Sequence, residues 1–143
     1  MPIFEVTTKE ELKRAFPVMN ELRDHLDEAT FLGTVDEMMA GGYRLFALED
    51  EGDIVALAGV AQDLNFYYGR FIYVYDLITS SKARSRGYGR ELLSHIEKMA
   101  KQEGCGVVAL SSALFRKDAH RFYEDKMGYE RVSYAFVKQL DNN

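Results

Sequence analysis

The stretch ARSRGYGREL, residues 83–92, carries residue types that are suited to binding a diphosphate. Four of the chain's 18 basic residues fall between positions 80 and 90, where no Asp or Glu occurs, although the net charge of the chain is −5. A helix that begins here would present unpaired backbone N–H groups and the positive end of its dipole. Gly87 and Gly89 leave room for phosphate oxygens to reach those groups. Three guanidinium groups add paired donors and complete a predicted pyrophosphate site: those of Arg84, Arg86 and Arg90.

The common phosphate-binding patterns are not matched by this stretch. The Walker sequence G-x-x-x-x-G-K-[ST] is absent from the chain, and the dinucleotide pattern G-x-G-x-x-G would need a third glycine where Leu92 stands. A helix with a glycine-rich start and a solvated basic cluster explains the glycines equally well. A nucleotide-phosphate site with unrelated chemistry is a further alternative that the residues alone leave open.

The composition is typical of a globular protein with a hydrophobic core. Of the 143 residues, 47% are hydrophobic and 29% are charged, and we expect a single domain over residues 1–143. The lone Cys105 and the scattered histidines supply no metal-ligand set, so no metal is expected. Neither a long apolar run nor a signal peptide is found, which predicts a cytoplasmic protein with no membrane partner. The acidic balance argues against nucleic acid as a partner.

The hydrophobic pattern predicts helices and strands that place the glycine stretch between a strand and a helix. Capping boxes at Thr8-x-x-Glu11 and Thr34-x-x-Glu37 open the first two helices, and Gly41-Gly42 ends the second. Two more amphipathic helices cover residues 88–104 and 117–128. The order β-α-α-β-β-β-α-β-α-β indicates an α/β fold, a mixed sheet with helices on both faces. Its six predicted strands are 3–7, 43–49, 53–64, 69–79, 106–112 and 129–140.

Two motifs lie at the strand–helix junction and in the last predicted helix. Arg84-x-x-Gly87-x-Gly89 follows an apolar strand, and AHRFYEDKMGYE (119–130) holds an alanine, a tyrosine and a closing Gly-Tyr. In this order and at this separation they resemble motif A ([QR]-x-x-G-x-[GA]) and motif B of the GNAT acetyltransferase superfamily. The resemblance extends from the first strand to the last. It implies an α+β sandwich whose central sheet is mostly antiparallel, with about six to seven strands and helices on both faces.

The resemblance also implies that acetyl-CoA binds as a co-substrate, without a metal. In this superfamily the diphosphate lies against the backbone N–H groups of the motif A loop. Here those groups belong to Arg86, Gly87, Tyr88, Gly89 and Arg90, with Arg84 and Ser85 at the start of the loop. The strand before the loop splays from its neighbour, and its exposed backbone pairs with the pantetheine arm and polarises the thioester carbonyl. The corresponding positions here are Leu77, Ile78 and Thr79.

Tyr123 and Asp76 are the catalytic residues that the resemblance implies. Tyr123 matches the general acid that protonates the departing thiolate, although core packing alone would also explain a tyrosine on this helix face. Asp76 is the nearest candidate for a base that deprotonates the amine, and a buried aspartate can equally orient backbone. His120 shares the face of Tyr123 and is either a cofactor contact or a helix-start side chain. Arg116 stands where motif B often has an asparagine, and its charge suits the anionic groups of the cofactor.

These residues predict direct transfer of an acetyl group to a primary amine of a small molecule or a protein, since no activated Cys or Ser nucleophile is present. The alternative is a regulatory module that binds acyl-CoA without turnover. The acceptor itself cannot be read from the chain, and a homodimer, common in the superfamily, is left open. Acidic side chains in the first two helices indicate either a cationic acceptor or a solvated face: Asp24, Asp27, Glu28, Asp36 and Glu37.

Overall fold

The structure, a computed structural model, describes residues 2–141 and groups them into two units. The first unit ends at Leu110 and contains the whole sheet, and the second begins at Ser111 and contains the last helix. The single domain expected for residues 1–143 stays a prediction. Among the described residues, no helix combines the length and the apolar character needed to cross a membrane.

The first unit is built on a five-stranded mixed sheet in the order β1-β2-β3-β4-β5. The strands β1 to β4 pair antiparallel with their neighbours, and β5 runs parallel to β4. An α+β fold with a mixed sheet was predicted, and this part of the prediction is confirmed. The strands are β1 Ile3–Val6, β2 Arg44–Asp50, β3 Asp53–Asn65, β4 Gly69–Thr79 and β5 Val107–Leu110.

The described sheet has five strands rather than six to seven, because the predicted strand at 129–140 joins no ladder. This segment does carry an alternating apolar pattern, but a strand also needs a hydrogen-bonded neighbour, and described residues provide none. The prediction of a last strand was therefore wrong for this chain taken alone. Five large apolar side chains of the segment are between 56% and 94% exposed: Val132, Tyr134, Phe136, Val137 and Leu140.

The described residues form four α-helices: α1 Lys9–Leu22, α2 Glu28–Ala40, α3 Tyr88–Gln102 and α4 Lys117–Arg121. Helix α1 begins at the predicted capping box. Thr8 Oγ1 accepts a hydrogen bond from the backbone of Glu11 at 3.1 Å, and Glu11 Oε1 accepts one from the backbone of Thr8, also at 3.1 Å. The helix continues through Pro17. In the second unit, α4 passes directly into a π-helical turn at Phe122–Lys126 instead of continuing to residue 128 as predicted.

Helix α2 begins well before Thr34, where the second capping box had predicted its start. Asp27 Oδ1 accepts a hydrogen bond from the backbone of Thr30 at 2.7 Å, which satisfies one of the N–H groups that a helix start leaves unpaired. Thr34 therefore lies inside the helix, and the predicted start was wrong. The predicted end is confirmed, since α2 stops at Ala40 and Gly42 follows with a φ of +108°.

Helices of the first unit cover both faces of the sheet. Successive side chains of a strand point to opposite faces. Leu45 and Ala47 of β2 pack in the core formed with α1 and α2, whereas Phe46 between them lies 5.9 Å from His95 of α3, measured between ring centroids. The α3 side of the sheet is closed by a stripe of buried residues at helical spacing: Leu92, Leu93, Ile96, Met99 and Ala100.

Candidate functional site

The loop between β4 and α3 places a row of backbone N–H groups at the start of a helix. After β4 the chain makes a 3₁₀ turn at Ser81–Ala83, and α3 begins after Gly87. Ser85 and Gly87 have φ angles of +68° and +80°, and such left-handed residues turn neighbouring N–H groups toward one concave side. No described side chain caps the helix start, so its first-turn N–H groups are available to an anion.

The positive charges predicted for this loop are all on its surface. Lys82, Arg84, Arg86 and Arg90 have exposed side chains. The positive charge of Arg86 acts on the hydroxyl of Tyr88, the first residue of α3, and opposes the rise of the Tyr88 pKa. The predicted cluster of guanidinium groups therefore surrounds the helix start, and these side chains can swing toward a bound diphosphate.

Two carboxylates from distant parts of the chain hold the loop at both ends. Glu21 of α1 accepts hydrogen bonds from Ser80 Oγ at 3.2 Å and from the backbone of Ser81 at 2.8 Å. At the other end, the Tyr88 hydroxyl donates to Asp50 of β2, and this bond raises the pKa of Tyr88. Sequence reasoning missed Glu21 and Asp50, because neither belongs to a motif and each is brought to the loop only by the folded sheet.

Asp76 lies buried on β4, and both of its carboxylate oxygens accept hydrogen bonds. The Tyr43 hydroxyl donates to Oδ2 at 2.7 Å, and Arg23 Nε donates to Oδ1 at 3.0 Å. Arg23 also donates to the backbone carbonyl of Tyr75 at 2.9 Å. Burial, followed by the charge of Asp76, raises the pKa of Tyr43, which therefore remains a hydrogen-bond donor. The role of Asp76 as a base stays a prediction, and its observed contacts clamp β4 to the residue before β2 and to the residue after α1.

A β-bulge between Gly59 and Val60 of β3 lies directly beside the pairing position of Asp76. Gly59 pairs with Asp76, and the register shifts immediately after it. The ring of Tyr43 lies directly over Gly59: a Cβ atom at that position would stand 1.7 Å from the Tyr43 hydroxyl oxygen. Only glycine fits beneath the ring, so the bulge, the tyrosine and the carboxylate form one interlocked arrangement.

In the first unit, β4 continues beyond the end of its ladder with β5, in the part of the strand where the cofactor arm is predicted to pair. The ladder between them ends at the pair Val74 and Leu110, although β4 continues to Thr79. On its other side, β4 stays paired with β3 up to Thr79. The backbone of β4 beyond Val74 is therefore not paired with β5, and the pairing of pantetheine with it stays a prediction. The predicted contact positions in this part of β4 are Leu77, Ile78 and Thr79.

Tyr123 is buried in the second unit, within the π-helical turn Phe122–Lys126. Its ring contacts those of Phe122 and Tyr129, at centroid distances of 5.4 Å and 6.1 Å. Burial raises the pKa of the Tyr123 hydroxyl, with a smaller opposing effect from the charge of Arg116. The hydroxyl is therefore protonated at neutral pH and can donate a proton. π-Helical turns occur frequently at functional sites.

His120 is fixed by a carbonyl group of the same unit. Its Nε2 atom lies 2.8 Å from the backbone oxygen of Ala113, which can only accept. The Nε2 atom of a neutral ring therefore carries the proton, and Nδ1 is left as an acceptor. Nδ1 is buried and has no hydrogen-bond partner in the part of the chain that the structure describes. Arg116, His120 and Tyr123 lie along α4 and the π-helical turn that follows it, whereas the loop and the β4 residues belong to the first unit.

Residues 7–129 match the profile of the acetyltransferase (GNAT) family. The chain is 42% identical over 137 residues to the uncharacterized N-acetyltransferase YhdJ of Bacillus subtilis (strain 168), covering 95% of this chain and 96% of the relative. It is 29% identical over 147 residues to the aminoalkylphosphonate N-acetyltransferase of Salmonella typhimurium, covering 98% of this chain and 94% of that protein.

The fold is also similar to that of a solved structure. The aminoglycoside N-acetyltransferase AAC(6')-Iy in complex with CoA superposes with a TM-score of 0.85, covering 97% of this chain and 93% of that one. The sequence identity of this pair is only 13%, so the similarity concerns the fold.

Proposed function

The chain belongs to the acetyltransferase (GNAT) family and is an acetyltransferase, and on that premise we propose that it moves the acetyl group of acetyl-CoA directly to a primary amine of a small molecule or a protein. The observation that carries the proposal is the row of N–H groups that no side chain caps at the start of α3, together with the part of β4 that continues past its ladder with β5. These two features suit the diphosphate and the pantetheine arm of one cofactor.

The diphosphate of acetyl-CoA is proposed to bind at the start of α3. The left-handed Ser85 and Gly87 aim successive backbone N–H groups at one point, and the helix dipole adds positive potential. Arg84 supplies a mobile guanidinium at the start of the loop. The N–H groups proposed to hold the diphosphate are those of Arg86, Gly87, Tyr88, Gly89 and Arg90.

The pantetheine arm is proposed to pair with β4 beyond Val74, where the ladder with β5 has ended. Pairing at Leu77, Ile78 and Thr79 would orient the thioester and supply a backbone N–H to its carbonyl oxygen. Such an oxyanion donor is worth about 3 kcal/mol in the transition state. Arg116 and His120, whose Nδ1 is an available acceptor, are proposed to contact the cofactor from the second unit.

The acetyl transfer is proposed to need one acid and one base. The amine nitrogen attacks the thioester carbon, the resulting tetrahedral intermediate loses the C–S bond, and the thiolate takes a proton from the Tyr123 hydroxyl. Because burial raises its pKa, the Tyr123 hydroxyl carries its proton at neutral pH, as a proton donor must. Asp76, or water next to it, is proposed to receive the amine proton. Burial also raises the pKa of the Cys105 thiol, which disfavours a covalent acyl-cysteine and supports direct transfer.

The acceptor class is proposed to be a small primary amine. The chain is aligned over nearly its full length with a relative named for acetylating aminoalkylphosphonates, so these amines are the first to test. One acidic side chain of the first two helices is already engaged within the protein, since Asp27 caps α2, which weakens the case for a wholly acidic acceptor surface.

Free-thiol release in the presence of acetyl-CoA and a panel of amines tests the proposal. The panel contains aminoalkylphosphonates, aminoglycosides and peptides with a free amino terminus or lysine, with an amine-free reaction as the control. We expect thiol release above the control for at least one class of small amine. Binding of acetyl-CoA without thiol release for any amine would instead favour the regulatory module.

A further inference from the structure

The end of helix α1 contacts β4 just before the residues that are proposed to hold the thioester. Arg23, the residue after α1, donates from Nε to Asp76 Oδ1 at 3.0 Å and from Nη2 to the backbone oxygen of Tyr75 at 2.9 Å. The proposed thioester-binding stretch, residues 77–79, follows directly in the chain. Because one of the two acceptors is a backbone carbonyl, the contact fixes the strand itself as well as a side chain.

The same end of α1 also contacts the chain just after that stretch. Glu21 accepts hydrogen bonds from Ser80 Oγ at 3.2 Å and from the backbone N–H of Ser81 at 2.8 Å. Glu21 and Arg23 are two positions apart, which is about 3 Å of helix rise. The contacted positions 76 and 80 are four apart, which is about 13 Å of extended chain. Two long side chains of one helix end therefore span the whole proposed thioester stretch.

The end of α1 is held firmly enough to act as a support. The backbone N–H of Arg23 donates to the carbonyl of Met19 at 2.8 Å, and the Met19 side chain is buried in the core. Asn20 Nδ2 lies 3.1 Å from the carbonyl oxygen of Arg23 and 2.9 Å from that of Leu26. These bonds satisfy carbonyl groups that the end of a helix leaves unpaired and keep the last turn of α1 in one conformation.

The spacing between the two proposed parts of the cofactor site depends on this support. Beyond Val74, β4 is paired only with β3 in the described sheet, so one side of its backbone is not held by a strand. The diphosphate and the pantetheine arm belong to one molecule, and a linked ligand gains from both sites only if their spacing matches its own length. The chain that connects β4 to the N–H groups at 86–90 passes through Ser80 and Ser81, and Glu21 holds both.

We propose that Glu21 is a positioning residue, which fixes the spacing between the diphosphate site and the thioester stretch so that both parts of acetyl-CoA bind at once. This inference rests on the proposed function. Glu21 acts through Ser80 and Ser81 and does not itself contact the cofactor. Without its two hydrogen bonds, each part of the site still binds its own part of the cofactor, but binding of the whole molecule then has to order the junction between them.

Titration calorimetry of the full chain with two probes tests the proposal. CoA spans both parts of the site, whereas adenosine 3′-phosphate 5′-diphosphate lacks the pantetheine arm and reaches only the loop. Glu21→Ala removes both hydrogen bonds and should weaken the binding of CoA by about tenfold, the scale of such an ordering cost. Its affinity for the fragment should stay the same or rise slightly, because a negative charge near an anion site has been removed.

Glu10→Ala is the matched control for Glu21→Ala. Glu10 is also an exposed glutamate of α1, but it lies in the first turn of the helix, at the opposite end from Glu21. The variant therefore loses the same carboxylate and the same charge without touching the junction. It should bind both probes as the wild type does.

Glu21→Gln separates the hydrogen bonds from the charge. The glutamine carbonyl can accept from the backbone N–H of Ser81, and its amide group can donate to Ser80 Oγ, so CoA affinity should return close to that of the wild type. Ser80→Ala removes one of the two bonds from its other side. Its effect on CoA affinity and that of Glu21→Ala should not add, since both variants lose the same bond. If melting curves show that Glu21→Ala is unfolded, Ser80→Ala provides the comparison of the two probes.

Three results would overturn this inference and leave the proposed function in place. The first is an equal loss of affinity for CoA and for the fragment in Glu21→Ala, which would assign Glu21 to the folding of the loop alone. The second is a Glu21→Ala variant that binds CoA as tightly as Glu10→Ala does. The third is a loss in Glu21→Gln as large as that in Glu21→Ala. A wild type that binds neither probe would contradict the proposed function, and this inference with it.

Discussion

The loop at residues 80–90 and the turn at residues 113–123 both carry proposed functional residues, but they are held in place in different ways. The loop is anchored by Glu21 and Asp50, which lie between 38 and 60 positions away in the chain. In contrast, the turn is fixed by bonds of short range, such as that between His120 and Ala113, seven positions apart. Cofactor binding should therefore depend on the whole sheet, whereas proton donation should depend on a few neighbouring residues.

This difference means that binding and turnover should respond separately to substitution. A change in the loop should remove the cofactor, and a change at Tyr123 should leave the cofactor bound but slow the reaction. A change at the Asp76 clamp should affect the stability of the sheet first.

Gly87→Glu is expected to have the largest effect. Its φ of +80° disfavours any side chain, and a carboxylate would stand where the diphosphate is proposed to lie. Like charges in contact cost several kcal/mol, so the affinity for CoA should fall by about a hundredfold or more, as measured by titration calorimetry.

Gly104→Glu is the matched control for this substitution. Gly104 follows α3 at its other end and has nearly the same φ, +81°. The backbone strain is therefore the same, and CoA affinity should change only a few-fold. An equal loss of affinity in both variants would show that strain in α3, and not a diphosphate at Gly87, causes the effect.

Tyr123→Phe should lower kcat by about 10²-fold or more, as is typical for loss of a general acid, with little change in the Kd of CoA. Because burial raises the pKa of Tyr123, the wild-type kcat should not decline on account of this group until the pH exceeds about 10. Stopped-flow thiol release measures kcat, and titration calorimetry measures the Kd of CoA. Tyr134→Phe, at an exposed tyrosine of the same unit, is the control. If Tyr123→Phe lowers the folded fraction but not the turnover per folded molecule, Tyr123 is only a packing residue.

Asp76→Asn should lower the free energy of unfolding by about 1–3 kcal/mol, since it disturbs buried hydrogen bonds from Tyr43 and Arg23. Urea denaturation measures this loss. Tyr43→Phe removes one hydrogen bond of the same clamp but keeps the carboxylate of Asp76. It therefore distinguishes a structural role of Asp76 from a role as the base. If Asp76 is the base, only Asp76→Asn should slow the reaction at neutral pH, and the defect should shrink as the pH approaches the pKa of the amine. Equal kinetic effects of the two variants would assign Asp76 to the clamp alone.

Glu11→Gln, in the capping box of α1, is expected to have the smallest effect, which is on stability as a function of pH. Hydrogen bonds from the backbone of Thr7 and Thr8 lower the pKa of Glu11 below its ordinary value. The unfolded chain therefore binds this proton at a higher pH than the folded chain does. The bond stabilises the fold above the unfolded pKa, and the stability is lost as the pH falls through the folded pKa. Thermal melts between about pH 5 and pH 3 should show a shallower loss for Glu11→Gln than for the wild type, while Glu10→Gln behaves like the wild type.

Features that depend on neighbours in the chain could be predicted from the sequence. The capping box at Thr8 and the glycine-rich start of α3 were read correctly, since a helix start is specified by the few residues around it. The start of α2 was misread because Asp27 and Thr34 are both suitable capping residues. Asp27 is the one that caps, and the helix that it starts is longer.

Features that depend on distant partners could not be predicted. Glu21 and Asp50 carry no local pattern, and only the fold brings them to the loop. The two donors of Asp76 come from the residue after α1 and from the residue before β2, so the sequence around Asp76 gives no sign of these hydrogen bonds. The segment 129–141 has the periodicity of a strand. Periodicity predicts which side chains share a face, but it does not predict whether a neighbouring strand is present to pair with the segment.

The contact between Tyr43 and Gly59 implies a rule about how this protein can evolve. A methyl group at 59 is blocked while an aromatic ring covers it, and a smaller residue at 43 would make room but take away a donor from the carboxylate at 76. Single mutations at any of these positions should therefore be disfavoured unless the others change as well. Homologues that carry a side chain at 59 should also lack an aromatic residue at 43, so the pair should covary across the family.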